Sequence, residues 1–477
     1  MLEKLQIRPG ERIAIISENC PEYVRAIIDL WQAKATVVPV NPSYPLQKII
    51  DAISIASCNR MILGYRRDGS IIPWKKSPDL IKKTYHFEEL DTASKPGARN
   101  KSGDALALIK VCIPNIRSLL NNSASIIFTS GSSGSPRAAL HTIANHYYSA
   151  LGSNENIGFN EEDTWLLSLP LYHISGLSLL MRAKIGRGNI AVNSPAQMDL
   201  SLSQLLNYSS ATHISLVPAQ LFRIIQDNTG LKSLKRIKAL LVGGGTMSTS
   251  LLEECQKNRF PIFKSYGSTE MSSQITATSP GDSLKHMQTS GRLLKYRKLK
   301  IAPDGEILVK GMTLFKGYLS KAGASSRPNR DCLPPGTLLP VDKNGWFYTK
   351  DTGFLDAEGY LTVTGRKDLM FVCKGENIYP EEIENAIHQY HGVEEVVVVA
   401  VPDKISGKVP FAFIRSSKNN KTDFVELKKY LNLKIERFKI PKFFYDWPAD
   451  SNKPLKPDRE EMAGMARKLI ESTPFRG

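Results

Sequence analysis

The stretch ASIIFTSGSSGSPR, residues 124–137, constrains the fold more than any other part of this sequence. An isoleucine-containing apolar run passes abruptly into alternating serine, threonine and glycine residues and closes on Pro136-Arg137. The apolar run predicts a buried strand, and the polar segment after it predicts a loop rich in hydroxyl groups and tipped by a cation.

The composition of this loop suits a polyphosphate ligand. Glycine lets the backbone approach a ligand closely, hydroxyl groups donate hydrogen bonds, and arginine adds a permanent positive charge. The alternative interpretation is an ordinary Gly/Ser surface turn. A Walker A loop is excluded because no Gly-Lys-Ser/Thr sequence closes the segment. The candidate phosphate-binding residues are Thr129, Ser130, Gly131, Ser132, Ser133, Gly134 and Arg137.

Length and composition indicate a globular chain of two or three domains. The chain has 477 residues, of which 42% are apolar, which is enough to form hydrophobic cores. The sequence shows no signal-peptide core and no apolar run of membrane-spanning length, so we expect a cytoplasmic protein. The six cysteines show no CxxC spacing, which argues against zinc and a disulfide framework and favours reduced thiols.

The formal net charge of +17 at pH 7 favours a polyanionic partner such as a nucleotide, coenzyme A, nucleic acid or a membrane surface. The basic residues are spread along the chain without a nucleic-acid-binding motif, so a solvated basic surface is the favoured explanation. No nucleic-acid partner is therefore expected, and nucleic-acid binding is kept only as an alternative supported by charge.

Predicted strands and helices alternate along the first part of the chain. This alternation predicts an α/β fold with a large N-terminal domain of layered, mostly parallel sheets and helices. Ligands of such sheets bind beyond the carboxyl ends of the strands. Three predicted strands, the first of them over residues 164–170, end in residues suited to ligand contact: Pro170 to His173, Gly243 to Gly245, and Tyr266 to Glu270.

The second part of the chain changes in composition. A Pro/Gly/Ser-rich insert between Tyr318 and Trp346 predicts a long surface loop. From about residue 366 the pattern predicts a compact unit of helices and strands, including a helix over residues 423–438, with a lysine-rich tail. We therefore place a domain boundary at Gly365 to Asp368, which divides the chain into residues 1–365 and a small α+β domain of residues 366–477.

Four separated segments occur in an order that resembles the adenylate-forming superfamily of acyl-CoA ligases, adenylation domains and luciferases. TSGSSGSPR resembles its phosphate loop, YGSTE its adenylate motif, YTKDTG its ribose motif, and GRKDLMFVCKGENIYPEEIE its hinge. The resemblance covers nearly the whole chain, and it implies an N-terminal AMP-binding domain and a mobile C-terminal lid. Within the superfamily, SLPLYHISGLSLLMRA, THISLVPAQLFRII and LLVGGGTMS are most similar to the o-succinylbenzoate-CoA ligases of menaquinone synthesis.

The resemblance implies ATP, Mg²⁺ and coenzyme A as co-substrates and cofactor, and it implies roles for residues in the nucleotide site. Thr269 is expected to donate to the α-phosphate and Glu270 to hold Mg²⁺, although a lone glutamate is more often a solvated surface residue. Asp351 and Arg366 are expected to bind the ribose. The adenine is expected to lie against Tyr266, whose alternative is a core tyrosine, with further contacts from Gly243, Gly244, Gly245, Gly267 and Ser268.

The acyl site and the two half-reactions depend on a second set of residues. Arg182 is expected to bind the second carboxylate of the acid, and Ser175 to reach that carboxylate or the keto oxygen through a water. His173 is expected to line the reactive carboxylate or the thiol entry, and its alternative is a histidine packed against the end of a strand. Lys456 is expected to bridge that carboxylate and the α-phosphate, with Lys453 as the alternative lysine. The hinge and the coenzyme A tunnel are expected at Asp368, Lys374 and Gly375.

Two departures from the superfamily pattern leave alternatives open. Leu455 stands where a glycine precedes the catalytic lysine, and Lys374 stands at a position that is usually glycine. These residues support the alternative of a nucleotide-binding protein without turnover. Another aryl or medium-chain acyl-CoA ligase is the nearest enzymatic alternative. The sequence leaves the oligomeric state open, with a homodimer as one alternative.

Overall fold

The computed structural model describes residues 5–73, 81–90, 106–129, 137–319, 337–373, 376–403, 406–417, 421–448 and 459–472. The strands within these ranges are β1 (Arg12–Ile16), β2 (Thr36–Val40), β3 (Arg60–Leu63), β4 (Lys83–His86), β5 (Ala107–Lys110), β6 (Ser123–Thr129), β7 (Arg137–Thr142), β8 (Thr164–Leu166), β9 (Asn189–Val192), β10 (His213–Leu216), β11 (Ala239–Val242), β12 (Ile262–Ser268), β13 (Ser273–Ala277), β14 (Arg292–Leu293), β15 (Arg297–Ile301), β16 (Glu306–Gly311), β17 (Gly317–Leu319), β18 (Thr337–Leu338), β19 (Phe347–Leu355), β20 (Leu361–Arg366), β21 (Phe371–Cys373), β22 (Glu376–Ile378), β23 (Val393–Asp403), β24 (Gly407–Ser416) and β25 (Phe443–Asp446).

The α-helices follow the same apolar periodicity that the sequence shows. The helices are α1 (Pro21–Gln32), α2 (Leu46–Ile55), α3 (Phe87–Leu90), α4 (Ile143–Ile157), α5 (Ile174–Gly186), α6 (Leu202–Tyr208), α7 (Pro218–Ile225), α8 (Asn228–Leu234), α9 (Thr249–Lys257), α10 (Leu284–Gln288), α11 (Pro380–His388), α12 (Phe424–Asn432) and α13 (Arg459–Ser472). The long helix α4 begins in a capping box, in which the side chains of Thr142 and Asn145 each bond the other residue's backbone N–H.

Two eight-stranded sheets form the large N-terminal part. The first has the order β18-β17-β7-β6-β2-β1-β3-β4 and the second the order β14-β13-β12-β11-β10-β8-β9-β5. In each sheet the central strands are parallel, as predicted. The edge strand β4 is also parallel to its neighbour, whereas β7, β17 and β18 in the first sheet and β5, β13 and β14 in the second are antiparallel to theirs. The largest hydrophobic core joins both sheets through buried residues such as Ile15, Trp31, Trp165, Leu177 and Phe263.

Two smaller sheets follow. Strands β15, β16, β19 and β20 form an antiparallel sheet, and β22-β21-β24-β23 with β25 forms the last one. Helices α11, α12 and α13 pack on this last sheet around a separate core that includes Ile383, Val398, Phe411, Leu427 and Ala466. The change of sheet between β20 and β21 coincides with the boundary that the sequence predicts, and that boundary stays a prediction.

Most predicted elements of the parallel core appear within two or three residues of their predicted ends, but three regions differ. The tail is not only a lysine-rich segment, because α13 occupies Arg459–Ser472. The helix predicted from residue 423 to 438 ends at Asn432 and is followed by a 3₁₀ turn, Arg437–Lys439. The strand predicted over residues 164–170 ends at Leu166. The Pro/Gly/Ser-rich insert falls mainly on residues 320–336, which lie outside the described ranges.

Candidate active site

The predicted ribose and hinge residues form one connected cluster. The Tyr266 hydroxyl donates a hydrogen bond to Asp351 Oδ2 at 2.5 Å, and Arg366 Nη1 lies 3.5 Å from Asp351 Oδ1. Arg366 also donates through Nε and Nη2 to both carboxylate oxygens of Asp368, at 2.9 and 3.0 Å. Strand pairing explains this proximity, because Asp351 on β19 is directly opposite Arg366 on β20. The four residues could therefore act together on one face of a bound sugar.

The electrostatics of this cluster hold each group in one protonation state. Burial, together with the neighbouring Asp351 carboxylate, raises the pKa of Tyr266 well above its ordinary value, so its hydroxyl stays a donor. Burial disfavours the charged form of Arg366, but the bonds to Asp368 and the charge of Asp351 outweigh it and raise the pKa of Arg366. Burial likewise opposes ionisation of Asp368, yet Arg366 lowers the pKa of Asp368. The hinge residue Asp368 is thus paired as an anion.

Close backbone packing shapes the adenylate motif. A side chain at Gly267 would place its Cβ 2.0 Å from the Ser273 carbonyl oxygen, because the pairing of β12 with β13 bulges there. The glycine turn after β11 includes Gly244 with a φ of +79°, a conformation that favours glycine. Ser268 closes β12, and its hydroxyl accepts from the Met271 N–H at 3.3 Å. The backbone of this motif is therefore held by β13 at Gly267 and by the following turn at Ser268.

The residue before the aspartate of the ribose motif is also conformationally unusual. Lys350 has a φ of +65°, in the left-handed region that glycine occupies more easily. Its N–H donates to Glu306 Oε1 at 2.8 Å, and its carbonyl oxygen accepts from the Lys367 N–H at 2.7 Å. These bonds hold the segment of β19 that presents Asp351 in a conformation that glycine would adopt more easily.

Glu270 belongs to a second cluster at the end of the phosphate-loop segment. The hydroxyl of Tyr318 donates to Glu270 Oε1, and the Arg137 guanidinium carbon lies 5.5 Å from the centroid of the same tyrosine ring. Burial, followed by the Glu270 charge, raises the pKa of Tyr318. The Phe315 N–H donates to the Glu270 carbonyl oxygen at 2.8 Å. Strand β17 thus joins the loop's terminal cation to the predicted metal ligand.

This arrangement fits an Mg²⁺ ion that arrives with the nucleotide. Glu270 presents one carboxylate, and no group of three or more His, Cys, Asp or Glu side chains suited to a metal occurs in the part of the chain that the structure describes. Mg²⁺ commonly binds proteins through one or two carboxylates and completes its octahedron with phosphate oxygens and water. A single carboxylate near Arg137, the last residue of the predicted phosphate loop, meets that requirement.

Two residues of this region, His141 and Tyr318, were missed from the sequence. His141 is fully buried, and its Nε2 lies 2.7 Å from the Thr269 carbonyl oxygen. Burial lowers the pKa of His141, so the ring is neutral and donates through Nε2 to that carbonyl. His141 and Tyr318 therefore fix the two sides of the Thr269-Glu270 turn. Neither residue lies in a recognisable motif. His141 reaches the turn from β7, and Tyr318 reaches it from β17, which pairs with β7.

The predicted acyl-site residues lie on and just before α5. His173 is the N-cap residue of this helix, and its ring contacts Tyr172 edge-on at a centroid distance of 4.9 Å. Ser175 is in the first turn, and its carbonyl oxygen accepts from the Ser178 hydroxyl at 3.2 Å. Arg182 follows Ser175 by seven residues, which places both on one face of the helix. One helix and its N-cap residue therefore carry all three predicted acyl-site residues.

Arg182 is a buried cation surrounded by neutral groups. Its residue exposure is 1%, and Nη2 donates to Ser273 Oγ and to Gln274 Oε1, each at 3.1 Å. Its guanidinium carbon lies 5.4 Å from the ring centroid of Trp165, and its Nε has no hydrogen-bond partner. Burial lowers the pKa of Arg182 to about 10, so it remains charged at neutral pH. No carboxylate of the described residues pairs with it.

Strand register connects this cation to the nucleotide motif. Ser273 and Gln274 lie on β13 directly opposite Ser268 and Gly267 of β12. The residues that bond Arg182 are therefore one strand away from the adenylate motif. An acid held by Arg182 would extend toward the motif that is expected to bind the α-phosphate.

Several predicted residues lie outside the described ranges, so the structure adds nothing to their assignment. In the phosphate loop only the flanking residues Thr129, at the end of β6, and Arg137, at the start of β7, are described. The predicted residues outside the described ranges are Ser130, Gly131, Ser132, Ser133, Gly134, Lys374, Gly375, Lys453, Leu455 and Lys456. Arg459, just after the predicted catalytic lysine, is described and donates to Glu384 Oε2 at 2.7 Å.

Comparison with known proteins agrees with this geometry. A family model described as AMP-binding enzyme matches residues 1–319, and a model for the C-terminal domain of AMP-binding enzymes matches residues 382–451. The 2-succinylbenzoate--CoA ligase of Listeria monocytogenes serotype 4b is 38% identical over 324 residues, which cover 68% of this chain and 66% of that enzyme. The enzyme of the same name from Oceanobacillus iheyensis is 31% identical over 451 residues, covering 92% of this chain and 86% of its own.

Solved structures show the same likeness over most of the chain. The o-succinylbenzoate coenzyme A synthetase (MenE) of Bacillus subtilis in complex with ATP and magnesium ion is 29% identical, with a TM-score of 0.74 and coverage of 96% of this chain and 91% of that one. A variant of E. coli MenE with bound OSB-AMS is 25% identical, with a TM-score of 0.78 and coverage of 98% and 90%. In the described ranges, no helix is long and apolar enough to cross a membrane. With two thirds of its length matched by the family model, the chain belongs to the AMP-binding enzyme family.

Proposed function

We propose that this chain is an AMP-forming 2-succinylbenzoate--CoA ligase of menaquinone biosynthesis. Relatives of that name are 31–38% identical, and MenE structures cover nearly all of this chain. The observation that carries the substrate class is the buried guanidinium of Arg182, which has neutral partners and an unpartnered Nε. A buried cation without a counter-ion is unfavourable, and a second carboxylate on the substrate would relieve that cost.

The reaction has two steps. In the first, a carboxylate oxygen of the acid attacks the α-phosphorus of ATP, and the bond to pyrophosphate breaks, which gives an acyl-adenylate. In the second, the coenzyme A thiol loses its proton and attacks the acyl carbonyl, and AMP leaves with the bonding electron pair. Both reactants of the first step are anions, so the site must supply positive charge.

The nucleotide would be held by the two clusters of the site. Tyr266, Asp351 and Arg366 would hold adenine and ribose, and Arg137 with the loop from Thr129 would hold the outer phosphates. Thr269 would donate to the α-phosphate, which His141 supports by bonding the Thr269 carbonyl oxygen. Glu270 would bind Mg²⁺, which supplies charge neutralisation between the phosphates when it is bound.

The acid would be held between α5 and β13. Arg182 would bond its second carboxylate, with Ser175 on the same helix face and His173 at the helix start near the reactive carboxylate. Lys456 would bridge that carboxylate and the α-phosphate during adenylation, with Lys453 as the alternative. Asp368, Lys374 and Gly375 would serve the hinge and the coenzyme A path after the C-terminal domain, residues 366–477, has changed position relative to residues 1–365.

An acid panel tests this proposal. The purified protein is incubated with ATP, Mg²⁺, coenzyme A and one of three acids, and the thioester is identified by its mass. The three acids are o-succinylbenzoate, 4-oxo-4-phenylbutanoate, which lacks the ring carboxylate, and 2-butanoylbenzoate, which lacks the chain carboxylate. We expect thioester from o-succinylbenzoate, and whichever single-carboxylate analogue still reacts identifies the reactive carboxylate.

The outcome distinguishes the proposal from its alternatives. Equal use of the dicarboxylic acid and of an analogue would favour a general aryl or medium-chain acyl-CoA ligase and would refute the role of Arg182. Nucleotide binding without acid-dependent release of pyrophosphate would indicate a protein that has lost turnover. Pyrophosphate release is followed in the same reactions, and nucleotide binding is measured separately by calorimetry.

A further inference from the structure

A second buried arginine lies behind Arg182. Arg297 opens β15, and its residue exposure is 5%. Its guanidinium donates only to neutral oxygens: Nε to the Gln274 carbonyl at 2.7 Å, Nη1 to the Lys295 carbonyl at 2.7 Å, and Nη2 to the Ser149 carbonyl and hydroxyl oxygens, each at 3.1 Å. Like Arg182, it has no carboxylate partner in the described part of the chain.

Gln274 connects the two arginines. Its side-chain oxygen accepts from Arg182 Nη2 at 3.1 Å and from the Ser153 hydroxyl at 2.6 Å, while its backbone oxygen accepts from Arg297 Nε. Gln274 Nε2 is buried without a hydrogen-bond partner. Gln274 thus bonds Arg182 through its side-chain amide and Arg297 through its backbone oxygen. The bond from Arg297 therefore helps to fix the position of the amide that orients Arg182.

Helix α4 completes the connection. Ser149 and Ser153 on this helix bond Arg297 and Gln274, and the Asn154 side chain donates to the Arg182 carbonyl oxygen at 2.9 Å. The helix approaches the arginine closely at Gly152, where an added Cβ would lie 2.5 Å from Arg297 Nη1. The two cations are therefore held by one network that includes α4, α5 and β13.

The charges of the two arginines also affect each other. Burial, followed by the charge of Arg182, lowers the pKa of Arg297 to about 9. Two buried cations in one neutral network carry an uncompensated desolvation cost, which an entering anion would relieve. An acid with a second carboxylate would gain from both cations, although it would contact only Arg182.

We propose that Arg297 is a positioning residue of the acid-binding site, which holds Gln274 against Arg182 and adds a second positive charge that selects dicarboxylic acids. This inference rests on the proposed function and extends it from one cation to two. Arg297 acts through Gln274 and through its field, and it does not contact the reacting atoms.

Two substitutions separate charge from packing. Arg297→Met removes the charge and keeps much of the length, and Arg297→Lys keeps the charge with fewer hydrogen bonds. We expect Arg297→Met to raise the KM for o-succinylbenzoate by about tenfold, the low end of the range for a lost charge-assisted bond, because Arg297 does not contact the acid itself. The kcat and the KM for ATP should change little. The KM for the reactive single-carboxylate analogue should stay within a few-fold, and Arg297→Lys should recover most of the loss.

A matched control loosens the same strand without changing charge. Thr276 on β13 donates to the Ser290 carbonyl oxygen at 2.6 Å, and Thr276→Val removes that bond while both arginines remain. This variant should affect the dicarboxylic and single-carboxylate acids equally. Equal effects of Arg297→Met on both acids, or no recovery in Arg297→Lys, would overturn the inference and leave Arg297 with a purely structural role.

A third variant keeps the inference testable if Arg297→Met does not fold. Gln274→Glu places a carboxylate against Arg182 Nη2, on the residue whose backbone oxygen accepts from Arg297 Nε. It should preserve the fold because it pairs a buried charge. It should weaken the binding of o-succinylbenzoate selectively, and equal affinity for both acids would contradict the two-cation account.

If the wild-type protein forms no thioester from the dicarboxylic acid, the proposed function fails. The inference is then decided by calorimetry of that acid with wild type and Arg297→Met, where equal or absent binding refutes it.

Discussion

Replacing Tyr266 by phenylalanine tests the nucleotide site at one hydrogen bond. The variant removes the hydroxyl that donates to Asp351 Oδ2 at 2.5 Å and leaves the ring in place. The Asp351 side chain is only 11% exposed, so water replaces the lost donor poorly. A bond to a charged group contributes about 1.5–3 kcal/mol, which corresponds to roughly a 10- to 150-fold change in binding.

The expected result is a higher KM for ATP with kcat little changed, because ribose contacts are the same before and during reaction. Pyrophosphate release would be measured with ATP and with 2′-deoxy-ATP for wild type and variant. If Asp351 accepts from the ribose hydroxyls, the penalty for removing one hydroxyl should shrink in the variant, since the two changes act on one contact.

Tyr360→Phe is the matched control. The Tyr360 hydroxyl donates to Asp282 Oδ1 at 2.8 Å, a bond of the same kind outside the clusters of the site. This variant should lose about 1 kcal/mol of unfolding free energy at most, with an unchanged KM for ATP. A KM for ATP that changes equally in both variants, or a deoxynucleotide penalty that is unaltered in Tyr266→Phe, would refute the reasoning.

Three further predictions concern the metal ligand, the catalytic lysine and pH. Glu270→Gln should abolish adenylate formation while nucleotide binding is partly kept, and an unchanged Mg²⁺ dependence in that variant would mean that another residue holds the ion. Lys456→Ala should slow adenylation by about 10²- to 10³-fold, the usual loss on removing one electrostatic stabiliser, yet still convert supplied acyl-adenylate and coenzyme A to thioester; equal loss of both half-reactions, or the predicted pattern in Lys453→Ala instead, would contradict the choice of lysine. Burial lowers the pKa of His213 from 6.5 to about 4, so the unfolded chain binds a proton in that interval that the native chain does not. The stability from this residue is therefore complete above pH 6.5 and is lost as the pH falls toward 4, and in urea unfolding His213→Gln should flatten the slope in this interval by up to about 1.4 kcal/mol per pH unit. An unchanged slope would show that His213 does not titrate as its burial indicates.

The parallel core of the fold could be predicted because its signals are local. Apolar runs such as Ala239–Val242 are followed by glycine turns, and Pro21 and Pro218 begin helices at a position where the missing N–H costs nothing. The antiparallel edge strands could not be predicted in the same way. Strand β17 has three residues, and its pairing with β7 depends on tertiary contacts rather than on its own pattern.

The candidate site shows the same division. Motif residues such as Asp351, Arg366 and Glu270 were predicted because short segments carry them, and the structure brings Asp351 and Arg366 together. His141, Tyr318 and Arg297 were missed, since each acts through a contact with a strand that is distant in sequence. A lone histidine, tyrosine or arginine in a strand gives no sequence signal of such a contact.

The pairing of β17 with β7 also has a consequence for the order of folding. The loop segment ends at Arg137, but the tyrosine that lies beside this cation follows almost two hundred residues later, at Tyr318. During synthesis the first sheet can form its parallel centre early, whereas its β7 edge stays unpaired until β17 has emerged. An unpaired strand edge can pair with the edge of another chain and so promote aggregation. A chain truncated before Gly317 should therefore aggregate more readily than one truncated after Leu338.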